Sequence, residues 1–265
     1  MPRLVLIVAQ LVSAGCIALL GLLVVFDAQA ERLTAGRTPA EFSARLDGRL
    51  RGDYDATTVI AHNAGDGLRP ATEAVAYGVD GIEIDVHSAG DELFAAHNAP
   101  VPFLEDVVFR GPSLQAAWDV ARLRSTVLLH LKEHSARYLA RVHTFLASHP
   151  LRHVIVQTYD AGTLRTLRRT DPRVTRLLLV FHPSDLARLR RDPALRRTID
   201  GVSIRDSLLS ARALAWLKRE HLRTFVWTVN DEHRMNQLVR AGVDGLITER
   251  LDIMHLLGTG RELPR

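Results

Sequence analysis

A histidine, two carboxylates and a second histidine arrive at the ends of three short apolar segments, Val59-Ile60-Ala61-His62, Gly81-Ile82-Glu83-Ile84-Asp85-Val86 and Leu93-Phe94-Ala95-Ala96-His97. Glu83 and Asp85 are one residue apart in a strand-like stretch, so the two-residue period of a strand turns both carboxylates to one face. Adjacent carboxylates repel unless a cation sits between them. The pair is therefore a candidate metal site, and His62 and His97 bring proton-transfer groups to either side of it. A cation with two imidazoles suits hydrolysis or transfer at a phosphate. The plainer alternative is a structural salt-bridge pair in which both histidines are merely satisfied polar residues at strand ends.

Those side chains need elements to position them. From Thr58 onward, β-branched or leucine-rich runs recur at 59–62, 81–86, 126–132, 154–158, 175–181, 199–204, 224–229 and 245–248. Helical patterns separate most of them, at 113–123, 136–148, 161–169, 183–191, 211–220 and 232–241, several with a Ser or Asp N-cap candidate or a trailing Gly. Eight strands with intervening helices predict a (β/α)8 TIM barrel more readily than an open sheet. The polar residues His62, Glu83, Asp85, His130, Lys132, Gln157 and Trp227 to Asn230 then fall at or near the C-terminal ends of strands, where that fold places its chemistry.

Length and composition agree with one large core: 265 residues, 47% of them hydrophobic. The 34 Lys and Arg against 30 Asp and Glu leave a formal charge of +4. Much of the excess is arginine on helix-like stretches such as 164–169 and 186–191, which read as solvated helix faces. No aromatic or Gly-rich RNA motif interleaves them, so nucleic acid is not an expected partner. A positive background favours an anionic substrate.

The first thirty residues belong to a different physical regime. Leu4 to Phe26 is a 23-residue stretch without a charge, long enough to cross a bilayer as a helix, with Arg3 and the N-terminus on the cytoplasmic side. Ala28-Gln29-Ala30 has the small-x-small form of a cleavage site, so residues 1–30 read as a signal peptide or a transmembrane anchor. Either places the barrel on the extracytoplasmic side, membrane-anchored or secreted. The only cysteine, Cys16, lies in this segment. Residues 31–57 read as a stalk, 58–258 as the barrel and 259–265 as a tail.

The ordered series His62, Gly78-Val79-Asp80-Gly81-Ile82-Glu83-Ile84-Asp85-Val86, His97, Leu131-Lys132, Gln157-Thr158-Tyr159-Asp160, Val226-Trp227-Thr228-Val229-Asn230 and Gly242-Val243-Asp244-Gly245-Leu246-Ile247-Thr248 resembles the glycerophosphodiester phosphodiesterase family of phospholipase-C-like barrels. The resemblance implies one divalent cation, Mg²⁺ or Ca²⁺, held by Glu83 and Asp85. It implies His62 and His97 as the acid and base, and Lys132 balancing charge on the phosphoryl oxygens. Its reaction converts a glycerophosphodiester to an alcohol and glycerol phosphate, the neighbouring glycerol hydroxyl attacking first and water then opening a cyclic phosphate. Trp227 is either core packing or an apolar wall for the substrate alcohol.

The chain also departs from that pattern. Asn63 stands where the family has an Arg after its first histidine, and can donate a hydrogen bond to substrate but carries no charge. Residues 64–73 offer only Asp66, Arg69 and Glu73, so one metal-proximal carboxylate lacks a clear counterpart, while Arg69 is a candidate to restore the positive charge for substrate binding. His130 occupies the place of a metal-ligating Glu. A neutral imidazole there favours Mn²⁺ or Zn²⁺ relative to Mg²⁺ or Ca²⁺. The short segment between His97 and His130 leaves a shallow pocket that suits a bulkier or lysophospholipid head group. The short spacing from His62 to Glu83 is similar to the related sphingomyelinase D branch, so a sphingomyelinase D or lysophospholipase D activity is the second enzyme reading. A barrel that binds phosphate at the membrane without turnover is the non-enzymatic one. The remaining histidines, among them His87, read as surface or capping residues.

Overall fold

The structure, a computed structural model, describes residues 57–98, 111–149 and 153–252. The signal or anchor segment, the stalk up to residue 56 and the C-terminal tail lie outside the described residues. Among those described, no helix is long and apolar enough to cross a membrane.

Strands β1 (Thr58–Ala61), β2 (Gly81–Ala89), β4 (Thr126–Leu131), β5 (Val154–Thr158), β6 (Thr175–Val180), β7 (Gly201–Arg205), β8 (Arg223–Trp227) and β9 (Gly245–Thr248) are all parallel to their neighbours. Their order, β1-β9-β8-β7-β6-β5-β4-β2, closes through a β1–β2 pairing, which makes the eight-stranded TIM barrel. The helices are α1 (Leu68–Tyr77), α2 (Leu114–Ala121), α3 (Ala136–Ala147), α4 (Ala161–Thr170), α5 (Pro183–Arg191), α6 (Pro193–Arg196), α7 (Ala211–Arg219) and α8 (Glu232–Arg240). Side chains of Ser113, Ser135, Asp160, Ser210 and Asp231 accept hydrogen bonds from backbone N–H groups in the first turns of α2, α3, α4, α7 and α8.

Three elements lie outside the eight strands and six helices read from periodicity, although the apolar run Leu93-Phe94-Ala95 ahead of His97 marks one of them. Helix α1 is not among the helical patterns read; it presents only Ala71 and Ala74 as buried residues, a stripe too small to register as an amphipathic pattern. Strand β3 (Glu92–Ala95) is antiparallel to the far half of β2, which runs past the barrel to Ala89. That extension buries His87, which reads from sequence as a surface or capping residue: it is 5% exposed, its Nδ1 lies 3.7 Å from Glu133, and its Nε2 has no hydrogen-bond partner among the described residues. The four-residue α6 is the third.

Alternation along the strands separates two apolar regions. One lies between sheet and helices and includes Val59, Ile82, Ile84, Leu129, Val156 and Trp118. The other fills the barrel with Ile60, Leu128, Ile155, Leu177, Phe225 and Ile247, and Trp227 packs on it. At the opposite end from the polar residues, aspartates preceding three strands tie neighbouring strands together. Asp80, Asp200 and Asp244 each accept, at 2.8 Å, the backbone N–H of Val59, Arg176 and Thr224. The Gly-Val-Asp-Gly sequence around Asp80 and Asp244, with Thr-Ile-Asp-Gly around Asp200, is thus a device for closing the barrel floor. Its last glycine makes room inside: a Cβ on Gly245 would stand 2.2 Å from Phe225 Cδ1. Gly245→Ala is expected to destabilise the domain by about 1–3 kcal/mol through overpacking, read as a lower urea midpoint at unchanged m-value. An unshifted midpoint would refute this packing constraint.

Candidate active site

The same alternation that points Ile60, Leu128, Ile155 and Ile247 into the barrel carries polar side chains inward two residues later, at His62, His130, Gln157 and Glu249. Glu83 and Asp85 occupy the inner face of β2, paired in register with Leu128 and His130. Both carboxylates are buried, at 2% and 0% exposure.

Asp85 is the centre of this layer. Its Oδ2 accepts from Lys132 Nζ at 2.7 Å and faces His97 Nδ1 at 3.1 Å, while His130 Nδ1 lies 2.9 Å from Oδ1. Burial pushes its pKa up, but the contacts with His130 and His97 and the charge of Lys132 outweigh burial and hold it well below the usual carboxylate range. Glu83 is placed differently. Gln157 Nε2 donates to its Oε1 at 2.6 Å and His130 Nδ1 stands 3.8 Å away, yet burial, reinforced by the charge of Asp85, pushes its pKa up.

Asp66, passed over in assigning ligands, stands on the other side of Asp85. It ends the single helical turn Ala64–Asp66, and its Oδ1 accepts the backbone N–H of Asp85 at 2.8 Å. The turn can press against β2 because residue 65 is glycine: a Cβ there would lie 2.3 Å from Ile84 Cγ1. Burial and the Asp85 charge push the Asp66 pKa up to about 9. The only sequence signal for it was being the first carboxylate after His62 in a segment short of carboxylates.

Two groups of donors converge within 4.8 Å, Glu83 with Asp85 and His130, and Asp66 with Asp85 and His97. Glu83 Oε2 and Asp66 Oδ2 are buried without a hydrogen-bond partner among the described residues, and Asp85 Oδ1 meets only the His130 ring nitrogen at 2.9 Å. Buried anionic oxygens lacking donors are costly unless a cation satisfies them, so the donor set fits a divalent ion. Oxygens outnumber nitrogens around Asp85, which suits a hard or borderline cation.

The histidines flank this cluster. His62 Nδ1 and Glu249 Oε1 are 3.2 Å apart, and Asn230 holds Glu249 from behind, Nδ2 to Oε2 at 2.9 Å. Burial opposes protonation of His62, but the hydrogen bond to Glu249 and the fields of Glu83, Glu249 and Asp85 prevail, and its pKa is raised above the ordinary histidine value. His97 Nδ1 faces both Asp85 Oδ2 and Asn63 Nδ2, the latter at 2.9 Å. One ring nitrogen cannot donate to the carboxylate and accept from the amide at once, so the proton on this ring decides which partner it keeps. Donation to Asp85 leaves Nε2 free as a base.

Of the expected substrate-binding residues, Asn63 touches the site through His97. Arg69 does not join the cluster: it is exposed on α1 and pairs with Glu73 one turn along the same helix at 3.1 Å. Trp227 is half-buried, capping the barrel interior, with its ring centroid 5.4 Å from that of Phe181. Glu249, Asn230 and Gln157 complete the site without having been singled out as ligands or catalysts; Gln157 meets Glu83 from 74 residues away, Glu249 meets His62 from 187, and Asn230 meets Glu249 from 19.

The model of the glycerophosphoryl diester phosphodiesterase family matches residues 89–253. That span contains His97, His130, Lys132, Trp227 and Glu249, and begins just after Asp85. No curated protein sequence matches the chain. Among solved structures, a phosphodiesterase of Oleispira antarctica in complex with the product sn-glycerol-3-phosphate is 18% identical, with a TM-score of 0.64 over 77% of this chain and 97% of that one. A glycerophosphodiester phosphodiesterase of Parabacteroides distasonis is 19% identical (TM-score 0.61, 76% and 97% covered), and one of Thermotoga maritima 15% identical (TM-score 0.60, 76% and 98% covered). At these identities the likeness to the solved structures establishes the barrel.

Proposed function

Since the chain belongs to the glycerophosphoryl diester phosphodiesterase family, and so to the phosphoric diester hydrolases, we propose that it cleaves glycerophosphodiesters to glycerol phosphate and an alcohol at the layer formed by His62, Glu83, Asp85, His97, His130 and Lys132. The observation that carries this reading is the convergence of buried, unpartnered carboxylate oxygens between two histidines at the C-terminal mouth of the barrel. Glu83, Asp85 and His130 would hold a divalent cation, with Asp66 as a further carboxylate. Bound there, the cation polarises the phosphate and offsets its charge.

The chain's own groups divide the proton work. His97, oriented by Asp85 through Nδ1, accepts at Nε2 the proton of the attacking hydroxyl as its oxygen bonds to phosphorus. His62, kept protonated by Glu249, donates to the departing alcohol oxygen as the phosphorus–oxygen ester bond breaks. Water then opens the cyclic phosphate with the two roles exchanged, returning each proton. Lys132 holds Asp85 ionised and adds positive charge beside the phosphate.

Acid function at His62 fixes the sign of a pH effect. Glu249→Gln removes the carboxylate that raises the His62 pKa, so that pKa falls and less imidazolium is present at and above neutrality. The alkaline limb of kcat/KM should move to lower pH while the acidic limb stays; an unmoved alkaline limb would separate His62 from the acid role.

The uncharged stretch 4–26 supports placing the barrel outside the cytoplasmic membrane, with lysophospholipid head groups among its substrates. The deciding assay is release of glycerol phosphate by the full chain from glycerophosphodiesters and lysophospholipids, with chelator and with Mg²⁺, Ca²⁺, Mn²⁺ or Zn²⁺ restored. Turnover that disappears with chelator and returns with one ion supports the reading. A folded protein inert across the panel would make it a phosphate-binding barrel.

A further inference from the structure

Resting on that diesterase reading, we infer that Arg205 selects substrates whose leaving alcohol carries a carboxylate or other anionic group, and rejects cationic ones such as choline. In the eight-stranded ring, β7 is the fourth strand from β2 in either direction, so Arg205 at the end of β7 stands across the barrel mouth from Glu83 and Asp85. Alternation along β7 puts Gly201, Ser203 and Arg205 on one face, and Ser203 is fully buried between the outward Val202 and Ile204. Arg205 therefore belongs to the inner row, in register with Trp227 on β8.

Its guanidinium lies 5.3 Å from the centroid of the Phe181 ring, and the Phe181 ring is 5.4 Å from that of Trp227. Among the described residues Arg205 has no carboxylate partner, in contrast to Arg176, Arg196, Arg234 and Arg250, each of which is ion-paired. Phe181 is 41% exposed. The wall facing the metal-binding strand is thus aromatic, with an uncompensated cation over one ring. Without that cation the two rings would form a surface attractive to a quaternary ammonium; with it, the face is occupied and like charge repels choline, while the guanidinium fork is available to a carboxylate. A diester whose phosphate lies at the β2 carboxylates extends its second alcohol toward this wall.

The test is calorimetric titration of the full chain carrying His62→Ala, in which loss of the acid slows turnover, with glycerophosphoserine, whose alcohol carries a carboxylate beside its ammonium, and glycerophosphocholine. The serine diester should bind several-fold more tightly. Adding Arg205→Gln should weaken the serine diester roughly tenfold, about the value of one charge-assisted hydrogen bond, and leave the choline diester as tight or tighter. Arg205→Lys should restore most of the serine preference. Equal weakening of both diesters would assign Arg205 to the shared phosphate and overturn the inference, as would no change in either. Binding of neither diester by the His62→Ala chain would instead bring down the diesterase reading on which the inference stands. In the active chain the Arg205→Gln effect should appear in KM for the serine diester, with kcat little changed.

Discussion

His62→Ala is expected to lower kcat/KM for glycerophosphodiesters by roughly 10²–10⁴-fold, the range general acid catalysis contributes. Stability should hardly change, because the one partner lost is Glu249, whose side chain is 61% exposed and remains held by Asn230. The acid role makes a sharper claim than loss of activity. An aryl phosphodiester, whose phenolate leaves without a proton, should lose far less than an alkyl diester, since only the alkyl alkoxide needs His62. Equal losses on both substrates would turn His62 into a binding or orienting group. His97→Ala removes the base instead, and should impair both substrates alike.

Glu83→Gln carries the second large effect. The side chain is 2% exposed, one of its oxygens has no partner among the described residues, and burial together with Asp85 disfavours its charge. Without a cation, a neutral isostere relieves repulsion against Asp85, so the metal-free variant should be at least as stable as the parent. The cation response should vanish: the rise in Tm on adding Mn²⁺ or Mg²⁺, which reports binding to the folded state, and with it metal-stimulated hydrolysis. A variant that keeps the Tm rise would move the ion to the other cluster, where Asp66 and His97 share Asp85. Asp85→Asn is the harsher change, because it strips a countercharge from Lys132, His97 and His130 together and should destabilise the fold as well.

Most of the barrel was legible because parallel strands covered by helices carry strong periodic signals. The runs at 126–132, 154–158 and 245–248 coincide with strands to within a residue or so, and caps such as Asp160 and Ser210 mark helix starts by local hydrogen bonds. Helix α1 escaped, because its buried residues are two alanines; strand β3 was legible as the apolar run ahead of His97, but its antiparallel pairing with the end of β2 is a tertiary event.

At the site, the sequence by itself determined which face of β2 carries Glu83 and Asp85, since a two-residue period needs no partner to be read. It also determined that His62, His130 and Lys132 sit at strand ends, because the apolar runs terminate there. What only the tertiary structure decided is which groups meet across strands. Asp66 reaches Asp85 through a turn that fits because Gly65 has no side chain, Glu249 reaches His62 by the closing β1–β9 pairing, and Arg69 is held on an exposed helix by Glu73. Arg205 faces Glu83 and Asp85 across the mouth because eight strands close into a ring. Local periodicity sets the direction of a side chain; closure of the barrel sets its neighbours, and those lie as far as 187 residues away along the chain.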